Sequence, residues 1–400
     1  MEIGDEITIE PLELVAGGDA IARVDRFPVF ASNIYPGDIA RVRVTEVKKG
    51  FARAELVSIE SPSSLRRAAP CPIAEECGGC DWTALRLDVQ LEAKRRILTE
   101  SLRRIGKFDV SKLPPIAIHP SPLNYRLRSR LHRDGDAIGF YAMQSHRVVP
   151  LSRECEVVGV KTARALGETH APHPAFGHPL PEGEGIESLH LPLPTGEGAA
   201  KRQVRGVPLA QTEADTLEIW EVESPIHGYH VTHDAFFQVN RHLLGTMLRL
   251  VSEIAAETTA KGTAVDLYSG VGFFSRPLAH VFEQVTAVEG SPASHACAKR
   301  NAARNVKLIH APVERWIDDM PRTDFVFLDP PRTGARRNVI DAIGQKANER
   351  ICFLACDPVT FARDASRLTA SGWRIRTLDL LDLFPNTHHV ETLSSFERAP

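Results

Sequence analysis

The sequence has little net charge, few aromatic residues and few cysteines. Lys and Arg number 48 against 51 Asp and Glu, and aromatic residues make up 6% of the 400 residues. A formal net charge of −3 excludes a protein that binds nucleic acid through overall positive charge. No apolar run of about 18 residues occurs, so a membrane-spanning helix is not expected, and the acidic start, Met1–Glu6, does not resemble a secretory signal. We expect a cytoplasmic protein without membrane contact and with two or three domains.

Seven cysteines are too few for a disulfide scaffold, but three of them lie close together. Cys71, Cys77 and Cys80 form this group, and Cys155 follows further along the chain. In a reducing compartment, such a group indicates a metal or cluster site before it indicates disulfides. By count alone, four thiolates can hold zinc or a [4Fe–4S] cluster equally well.

Three sections of the chain differ in pattern. Residues 1–60 consist of short strand patterns separated by Gly and Pro, which predicts a small β barrel of the oligonucleotide-binding type; another small barrel is the alternative. Residues 61–231 form a predicted central α+β domain that contains the cysteines. Within it, residues 168–206 are dense in Pro and Gly and repeat the pattern Leu-Pro-x-Gly-Glu-Gly, which predicts a flexible insertion.

Residues 232–400 alternate between strand and helix patterns, which predicts a doubly wound α/β domain of the Rossmann type. In such a sheet, ligands bind at the carboxyl ends of the strands. The first strand runs into a turn that contains Gly270 and Gly272, and the next strand ends in Glu289, where an acid would hold ribose hydroxyls. Ser275 stands where a dinucleotide fingerprint has its third glycine, so the turn favours S-adenosylmethionine over NAD.

Two later strands end in side chains that can carry chemistry. Asp329-Pro330-Pro331-Arg332 follows one strand and Cys356 follows the next, so both are expected at the cofactor edge of the sheet. Adenine amino-methyltransferases have an aromatic residue at the position of Arg332, which counts against amine chemistry. Cys356 alone fits either core packing or a nucleophile. With Glu391 as a base and a methyl donor, it fits methylation of the C5 carbon of a pyrimidine.

Five motifs in order resemble the RNA uracil-C5 methyltransferase family. They are the cysteine group, Asp266–Gly272, Asp329–Gly334, Ala355–Pro358 and Phe384–Glu391. The resemblance covers the chain except residues 168–206. The cysteine spacing resembles the iron–sulfur branch of this family, which acts on 23S rRNA, and residues 1–60 resemble a TRAM domain, an RNA-binding barrel.

The resemblance implies a role for each site residue. Cys356 would attack C6 of a uridine, C5 would then take the methyl group, and Glu391 would remove the C5 proton. The residues that would contact S-adenosylmethionine or the uracil are Gln238, Tyr268, Gly270, Gly272, Glu289 and Asp329. The ligands of a structural [4Fe–4S] cluster, favoured over zinc, would be Cys71, Cys77, Cys80 and Cys155. The target base would leave its stack to reach Cys356.

The sequence departs from the family pattern near the cofactor. Phe353 and Ala355 stand where the family usually has Tyr and Ser before the catalytic cysteine, and Phe273 and Pro312 replace polar residues. These changes would remove hydrogen bonds at the cofactor rim while leaving the nucleophile and the base in place. They bear on cofactor affinity rather than on the reaction.

The predicted RNA-binding surface is local. From Arg86 to Arg133, twelve Lys and Arg against four acids leave a charge of +8. Arg126, Arg128 and Arg130 alternate along one predicted strand with His132, as a row of phosphate donors or as a solvated row of charges. The expected substrate is 23S rRNA with tRNA as the alternative, and a monomer is expected.

Two other functions compete with this interpretation. A non-catalytic iron–sulfur RNA-binding protein with the same fold would need neither Cys356 nor Glu391. A DNA cytosine-C5 methyltransferase would carry its nucleophile in a Pro-Cys pair ahead of the later strands of the sheet, whereas Cys356 follows Ala355.

Overall fold

The computed structural model describes residues 1–143, 145–159, 209–213, 216–220, 228–232 and 234–399, with 209–213 and 216–220 described by their backbone alone. The predicted insertion at 168–206 lies outside the described residues. In the described part of the chain, no helix is long and apolar enough to cross a membrane. The chain divides into two compact units: a larger unit of residues 1–68, 81–122 and 224–400, and a smaller unit of residues 69–80 and 123–223.

The larger unit contains two sheets and a set of helices. The strands of its first sheet are β1 (Glu6–Ile9), β2 (Glu13–Leu14), β3 (Ala20–Val24), β4 (Phe27–Ala31), β5 (Ile39–Val47) and β6 (Ala52–Ser61). The first helix is α1 (Leu87–Arg104), followed by a short 3-10 helix at Val110–Lys112 and strand β7 (Ile116–His119).

The second sheet and its helices follow after the smaller unit. The helices are α2 (Leu244–Ala256), α3 (Ser275–Leu278), α4 (Pro292–Asn301), α5 (Val313–Trp316), α6 (Arg337–Lys346) and α7 (Pro358–Ala370), with a 3-10 turn at Ile317–Asp319. Besides β7, the strands are β13 (Thr263–Leu267), β14 (Gln284–Glu289), β15 (Val306–His310), β16 (Thr323–Leu328), β17 (Ala347–Ala355), β18 (Trp373–Leu381) and β19 (Glu391–Arg398).

The first sheet follows the predicted alternation. Its strand order is β1-β5-β6-β4-β3-β2. In β5, Ala40, Val42 and Val44 are buried, whereas Arg41 and Arg43 are exposed. Because successive side chains of a strand point to opposite faces, this pattern gives the sheet one core face and one charged face. On the charged face, Arg43 pairs with Glu6 of β1 at 2.8 Å.

The second sheet has the order β15-β14-β13-β16-β17-β19-β18-β7. Its neighbouring strands run parallel except around β19, which pairs antiparallel with β17 and β18. The strand order reverses between β13 and β16, which creates a cleft at the carboxyl ends of these strands. Parallel central strands are buried on both faces, and residues 325–328 of β16 are accordingly fully buried. The predicted Rossmann-like domain is present.

Strand β19 was not predicted from the sequence, and β7 was predicted as a strand, within residues 116–160, but as part of the central domain. Thr392, Ser394 and Ser395 of β19 are buried inside the sheet although their side chains are polar. The segment therefore lacks the apolar pattern by which a buried strand is predicted from sequence. The two serine hydroxyls find partners there: the Ser394 hydroxyl donates to the Thr377 carbonyl at 2.9 Å, and the Ser395 hydroxyl contacts that of Thr377 at 2.8 Å. Strand β7, which precedes the smaller unit in sequence, adds in parallel to β18 at the sheet edge.

Helix α1 belongs to the larger unit, although the sequence assigned it to the central domain. Its apolar face, formed by Ile97, Leu98 and Leu102, is part of the same core as the two sheets. The predicted central domain, 61–231, therefore contains residues of both units. Much of the positive charge predicted for RNA on α1 is offset locally by acids. The pairs are Arg86 with Asp88, Arg95 with Glu92, Arg96 with Glu13, and Arg103 and Arg104 with Glu100.

The smaller unit contains a five-stranded sheet. Its strands are β8 (Arg128–Asp134), β9 (Ala137–Tyr141), β10 (Val148–Pro150), β11 (Leu209–Glu213) and β12 (Thr216–Trp220), in the order β10-β9-β8-β12-β11. The predicted strand with alternating basic residues is β8, which begins at Arg128, after Arg126. Within β8, Arg128, Arg130 and His132 share one face by alternation, and Arg130 is exposed.

Candidate active site

The site lies at the carboxyl ends of β13, β14, β16 and β17, and it begins with the turn after β13. The backbone takes positive φ at Tyr268 (61°), Gly270 (56°) and Gly272 (84°). A Cβ atom added to Gly270 would meet no atom within 4 Å, so the space beside this turn is open. Glycine makes the turn possible and leaves the backbone accessible to a ligand.

Glu289, at the end of β14, ties this turn to the neighbouring strand. The Gly270 N–H donates to Glu289 Oε2 at 2.8 Å, and the Ser291 N–H donates to Oε1 at 2.5 Å. The carboxylate is therefore fixed next to the glycine turn, with free lone pairs for further donors. The Tyr268 hydroxyl donates to Glu314 at 2.9 Å. Burial is the main cause that raises the pKa of Tyr268, and the hydrogen bond to Glu314 adds to it, so the hydroxyl stays protonated.

Asp329 and Gln238 form a second part of the site. The Gln238 amide donates to Asp329 Oδ2 at 3.1 Å. Burial, strengthened by the charge of Asp266, raises the pKa of Asp329 to about 8. Asp266, fully buried in β13, has its own pKa raised to about 7 by burial, although it accepts a hydrogen bond from the Ser275 hydroxyl. Both carboxyl groups therefore hold a proton at much higher pH than an ordinary aspartate does.

The antiparallel pairing of β17 and β19 brings Cys356 close to Glu391. Ala355, the last residue of β17, pairs with Thr392 of β19. Cys356 follows Ala355 directly, and Glu391 is the residue before Thr392, so the two lie near each other at the end of this pair of strands. The two side chains interact electrostatically: burial and then the Glu391 charge raise the pKa of the Cys356 thiol to about 12. Sequence positions 35 residues apart thus form one pair.

Arg332 is the cation that faces this acidic group. Burial and then Asp329 raise the pKa of Glu391 well above its usual value, and Arg332 opposes this shift. Arg332 likewise lowers the pKa of Cys356. Its guanidinium contacts both ring nitrogens of His389, at 2.5 and 3.1 Å. The sequence argument used Arg332 only against amine chemistry and missed its place beside Cys356 and Glu391.

Helix α7 explains why the chain presents Cys356 at the sheet edge. Asp357 caps the helix by accepting from the Thr360 N–H at 2.7 Å, and Pro358 occupies the first turn. These residues stop β17 and start the helix directly after Cys356. The same helix holds the loop after Asp329: the Thr360 hydroxyl donates to the Arg332 carbonyl at 3.3 Å. One helix terminus therefore orders both Cys356 and the Arg332 loop.

Three of the four departures from the family pattern are buried apolar side chains, whereas Pro312 is exposed directly before α5. Phe353 is fully buried and packs edge-on against Phe361 with ring centres 5.4 Å apart. Phe273 is buried among aromatic rings, with Phe237 at 5.3 Å and Phe274 at 4.8 Å. Ala355 is also buried. These side chains fill the core behind the site.

The four cysteines predicted to bind a cluster all belong to the smaller unit. Burial raises the pKa of Cys71 to about 11 and also raises the pKa values of Cys77 and Cys155. Backbone amides oppose these shifts. The Gly79 N–H lies 3.4 Å from Cys77 Sγ. The Ile73 amide hydrogen-bonds to Cys71, and the Val157 and Val158 amides hydrogen-bond to Cys155.

The neighbours of these sulfur atoms are those typical of metal-binding thiolates, although the sulfur atoms are not arranged as a complete metal site among the described residues. Electrostatic interactions join Cys71, Cys77 and Cys155, and the Arg126 guanidinium interacts with Cys80 and Cys155. Within the described residues, no group of three His, Cys, Asp or Glu side chains converges as a metal site. Amides directed at sulfur and a neighbouring cation stabilise thiolates, so the donor set fits a thiolate-bound group.

Comparison with known proteins agrees with this fold and site. A family model described as tRNA (Uracil-5-)-methyltransferase matches residues 212–398, and the TRAM domain model matches residues 5–57. An uncharacterized RNA methyltransferase of Gloeobacter violaceus is 30% identical, over 99% of this chain and 97% of that protein. The 23S rRNA (uracil(1939)-C(5))-methyltransferase of Vibrio campbellii is 29% identical, over 96% of this chain and 94% of that protein.

A solved structure has the same fold. The Pyrococcus abyssi tRNA (uracil-54, C5)-methyltransferase, in complex with S-adenosyl-L-homocysteine, has a TM-score of 0.64 and 22% identity, and the match covers 98% of this chain and 100% of that chain. The fold, the site and these relatives define an RNA-modifying methyltransferase. The chain belongs to the RNA (uracil-5-)-methyltransferase family, and the predicted TRAM domain and family resemblance are confirmed.

Proposed function

We propose that the protein methylates C5 of a specific uridine in RNA through a covalent adduct with Cys356. The observation that carries this proposal is that Cys356 and Glu391 interact at the adjoining ends of β17 and β19, next to Asp329 and Arg332. A nucleophile and a base close enough to reach one target ring are what a reaction at C5 and C6 needs.

Cys356 adds to C6 of the uracil, which turns C5 into a carbon nucleophile. The thiol must first lose its proton to solvent, and burial, which raises its pKa to about 12, makes the thiolate rare at neutral pH. Arg332 is the group that lowers this pKa, so its guanidinium favours the attacking form. S-adenosylmethionine, when bound, supplies the electrophilic methyl group that C5 takes. After C5 carries the methyl group, Glu391 removes the C5 proton and Cys356 leaves from C6.

Asp329 and Gln238 are proposed to hold the uracil edge. Because the pKa of Asp329 is raised to about 8, its carboxyl is protonated at neutral pH and can donate a hydrogen bond. Attack at C6 pushes charge onto the uracil O4 atom, which such a donor would stabilise. The Gln238 amide, at 3.1 Å from Asp329, fixes the orientation of that carboxyl.

The residues after β13 and β14 fit S-adenosylmethionine. The open space beside Gly270 gives a ligand access to the backbone, and Glu289 is held at the adjacent strand end by two backbone amides. A carboxylate in this position accepts hydrogen bonds from ribose hydroxyls. Gly272 and Tyr268 complete the turn that shapes the pocket.

We further propose that Cys71, Cys77, Cys80 and Cys155 hold a [4Fe–4S] cluster. Four thiols in one unit, with amides directed at three of them, support a thiolate-bound group. A cluster is favoured over zinc by the spacing of the cysteines, and its role would be structural because methyl transfer needs no electron.

The proposed RNA is 23S rRNA. A 23S rRNA enzyme among the relatives, at 29% identity over 96% of this chain, supports it. Domain architecture does not separate rRNA from tRNA, because the solved structure that matches over 98% of this chain is a tRNA (uracil-54, C5)-methyltransferase. A monomer in the cytoplasm stays a prediction.

The test is methyl transfer from labelled S-adenosylmethionine to 23S rRNA and to tRNA, both from cells that lack this gene. Digestion to nucleosides and mass spectrometry should find label in 5-methyluridine of 23S rRNA. Label in tRNA alone would assign the protein to tRNA. A protein that binds both RNAs and labels neither would be the non-catalytic binder.

A further inference from the structure

The loop between β18 and β19 leads directly to Glu391, and its last residues are held from outside the loop. Two consecutive backbone amides, of Asp81 and Trp82, donate to the Asn386 carbonyl at 3.2 and 3.0 Å. Asn386 itself has a positive φ of 66° and is fully buried. A strained backbone position of this kind persists only where its surroundings enforce it.

Asp81 also binds the residue that lies three positions before Glu391. The His388 N–H donates to Asp81 Oδ1 at 3.1 Å, and the His388 ring contacts Asp81 Oδ2 through Nδ1. Asp81 thus satisfies both the backbone and the side chain of His388. Asp81 and His388 are each partly buried, so these bonds are shielded from full competition with water.

The N-terminal sheet covers this pair. Gly18, in the turn between β2 and β3, has a φ of 92°, and a Cβ atom added there would lie 2.5 Å from Asp81 Oδ2 and 2.9 Å from His388 Nδ1. The Gly18 carbonyl accepts from the Trp82 indole N–H at 3.2 Å, and the Tyr35 hydroxyl donates to the Asp81 carbonyl at 3.3 Å. Only a glycine fits against the pair in this arrangement.

We propose that Asp81 and His388 are positioning residues for the Glu391 step, and that Gly18 makes the N-terminal sheet a support for them. This proposal rests on the proposed function, since it takes Glu391 as the base. Small displacements of a catalytic group cost rate steeply: about 1 Å can cost 100-fold. The sheet that the family uses for RNA contact would then also fix the loop that delivers the base.

The first test compares two adjacent glycines. Gly17 and Gly18 both have positive φ, of 98° and 92°, but a Cβ atom on Gly17 meets nothing within 4 Å. Gly17→Ala and Gly18→Ala therefore carry similar backbone strain, and only Gly18→Ala displaces the Asp81–His388 pair. We expect kcat to fall roughly 10-fold in Gly18→Ala, with little change in the KM for RNA, and to stay within twofold of wild type in Gly17→Ala. Equal kcat values for the two variants would overturn the role of Gly18.

The second test removes the pair itself. His388→Ala should lower kcat roughly 10-fold, and His388→Asn, which keeps an N–H donor near the position of Nδ1, should recover most of it. The exposed His280, between α3 and β14, provides the control His280→Ala. Asp81→Asn should resemble His388→Ala, with Asp88→Asn on the exposed start of α1 as its control. No loss in His388→Ala and Asp81→Asn would overturn the proposal.

RNA with 5-fluorouridine separates this positioning role from general damage. Fluorine at C5 leaves no proton to remove, so the methylated adduct with Cys356 accumulates without the Glu391 step. We expect His388→Ala to form this adduct at the wild-type rate while its turnover on ordinary RNA falls. An equal loss in both assays would mean that the pair supports the fold and not the base. Failure of the wild-type protein to form the adduct would instead overturn the proposed function.

Discussion

Cys356 and the cysteines of the smaller unit are thiols in shielded surroundings, and the groups around them differ. Carboxyl groups of Glu391 and Asp329 surround Cys356, with Arg332 as the opposing cation. Backbone amides instead surround Cys71, Cys77 and Cys155. Burial raises the pKa at both sites; amides directed at sulfur oppose that shift at the cysteines of the smaller unit, whereas acidic neighbours add to it at Cys356. This difference supports the proposals that the first site binds a thiolate-held group and that Cys356 is the attacking thiol.

The largest effect is expected from removing the nucleophile. Cys356→Ala should lower methyl transfer by roughly four orders of magnitude or more, because the covalent route is lost, while RNA binding persists. Transfer of labelled methyl groups and a filter-binding assay measure the two properties. Cys297→Ala is the matched control, since Cys297 is a buried cysteine on α4 outside both sites. Comparable activity of Cys356→Ala and Cys297→Ala would remove the proposed distinction between the thiols.

Replacement of the base should have the next largest effect. Glu391→Gln keeps the shape of the side chain but cannot take the C5 proton, so turnover should fall by roughly 10²- to 10⁴-fold. Steady-state assays with RNA in excess measure this loss. Asp379, on β18 and paired with His119 at 2.8 Å, offers the control Asp379→Asn. If Glu391→Gln turns over like this control, another group removes the proton.

A smaller effect on activity is expected at the other thiol site. Wild-type protein purified anaerobically should be brown and hold four irons per chain. Cys77→Ala should lose the iron and this absorbance, because one cluster ligand is gone. Its methyl transfer at saturating RNA should stay within roughly 10-fold of wild type, since no electron is needed. Metal analysis and visible absorbance provide the measurement. Stoichiometric zinc in the wild-type protein would contradict the cluster.

The smallest effect is a change in the pH dependence of stability. The pKa of Asp329 is about 8 in the folded protein against an ordinary 3.8, so between these values the folded state binds more protons than the unfolded state. Stability from this group is therefore present at low pH and is lost as the pH rises toward 8. Asp329→Asn should make the fall from pH 5 to pH 8 shallower by about 1 kcal/mol per pH unit in urea unfolding.

Asp324 supplies the control for this pH measurement. It lies at the opposite end of the same strand and accepts from the Thr263 N–H at 2.9 Å. Asp324→Asn should leave the pH slope as in the wild-type protein. Parallel curves for Asp329→Asn and Asp324→Asn would show that Asp329 does not hold a proton in the folded state.

The sequence predicted the parts of the site that come from parallel strands. Gly270, Glu289, Asp329 and Cys356 each follow a strand, and the carboxyl ends of parallel strands share one edge, so local pattern was sufficient to bring them together. The partners of Cys356 depended on β19. The sequence predicted Glu391 as the base for Cys356, but it did not predict the strand that brings the two together, because the buried Ser and Thr residues of β19 look polar in the sequence.

Contacts between distant segments were also beyond the reach of sequence pattern. Asp81 and His388 are 307 positions apart, and neither belongs to a periodic element that would indicate the other. Asp266 lies in a buried strand, where its carboxyl raises the pKa of Asp329, yet the sequence does not identify its neighbour. The sequence offered one sign of this interaction: Asp266 is an acidic residue in an apolar strand directly before the glycine turn.

The covalent bond to Cys356 is the central claim, and one measurement tests it most directly. Glu391→Gln should be incubated with RNA and S-adenosylmethionine, digested with protease and nuclease, and its peptides analysed by mass spectrometry. The account predicts that the peptide containing Cys356 carries a uridine nucleotide with one added methyl group. An adduct on another cysteine, or no adduct while Glu391→Gln binds RNA and cofactor normally, would contradict it.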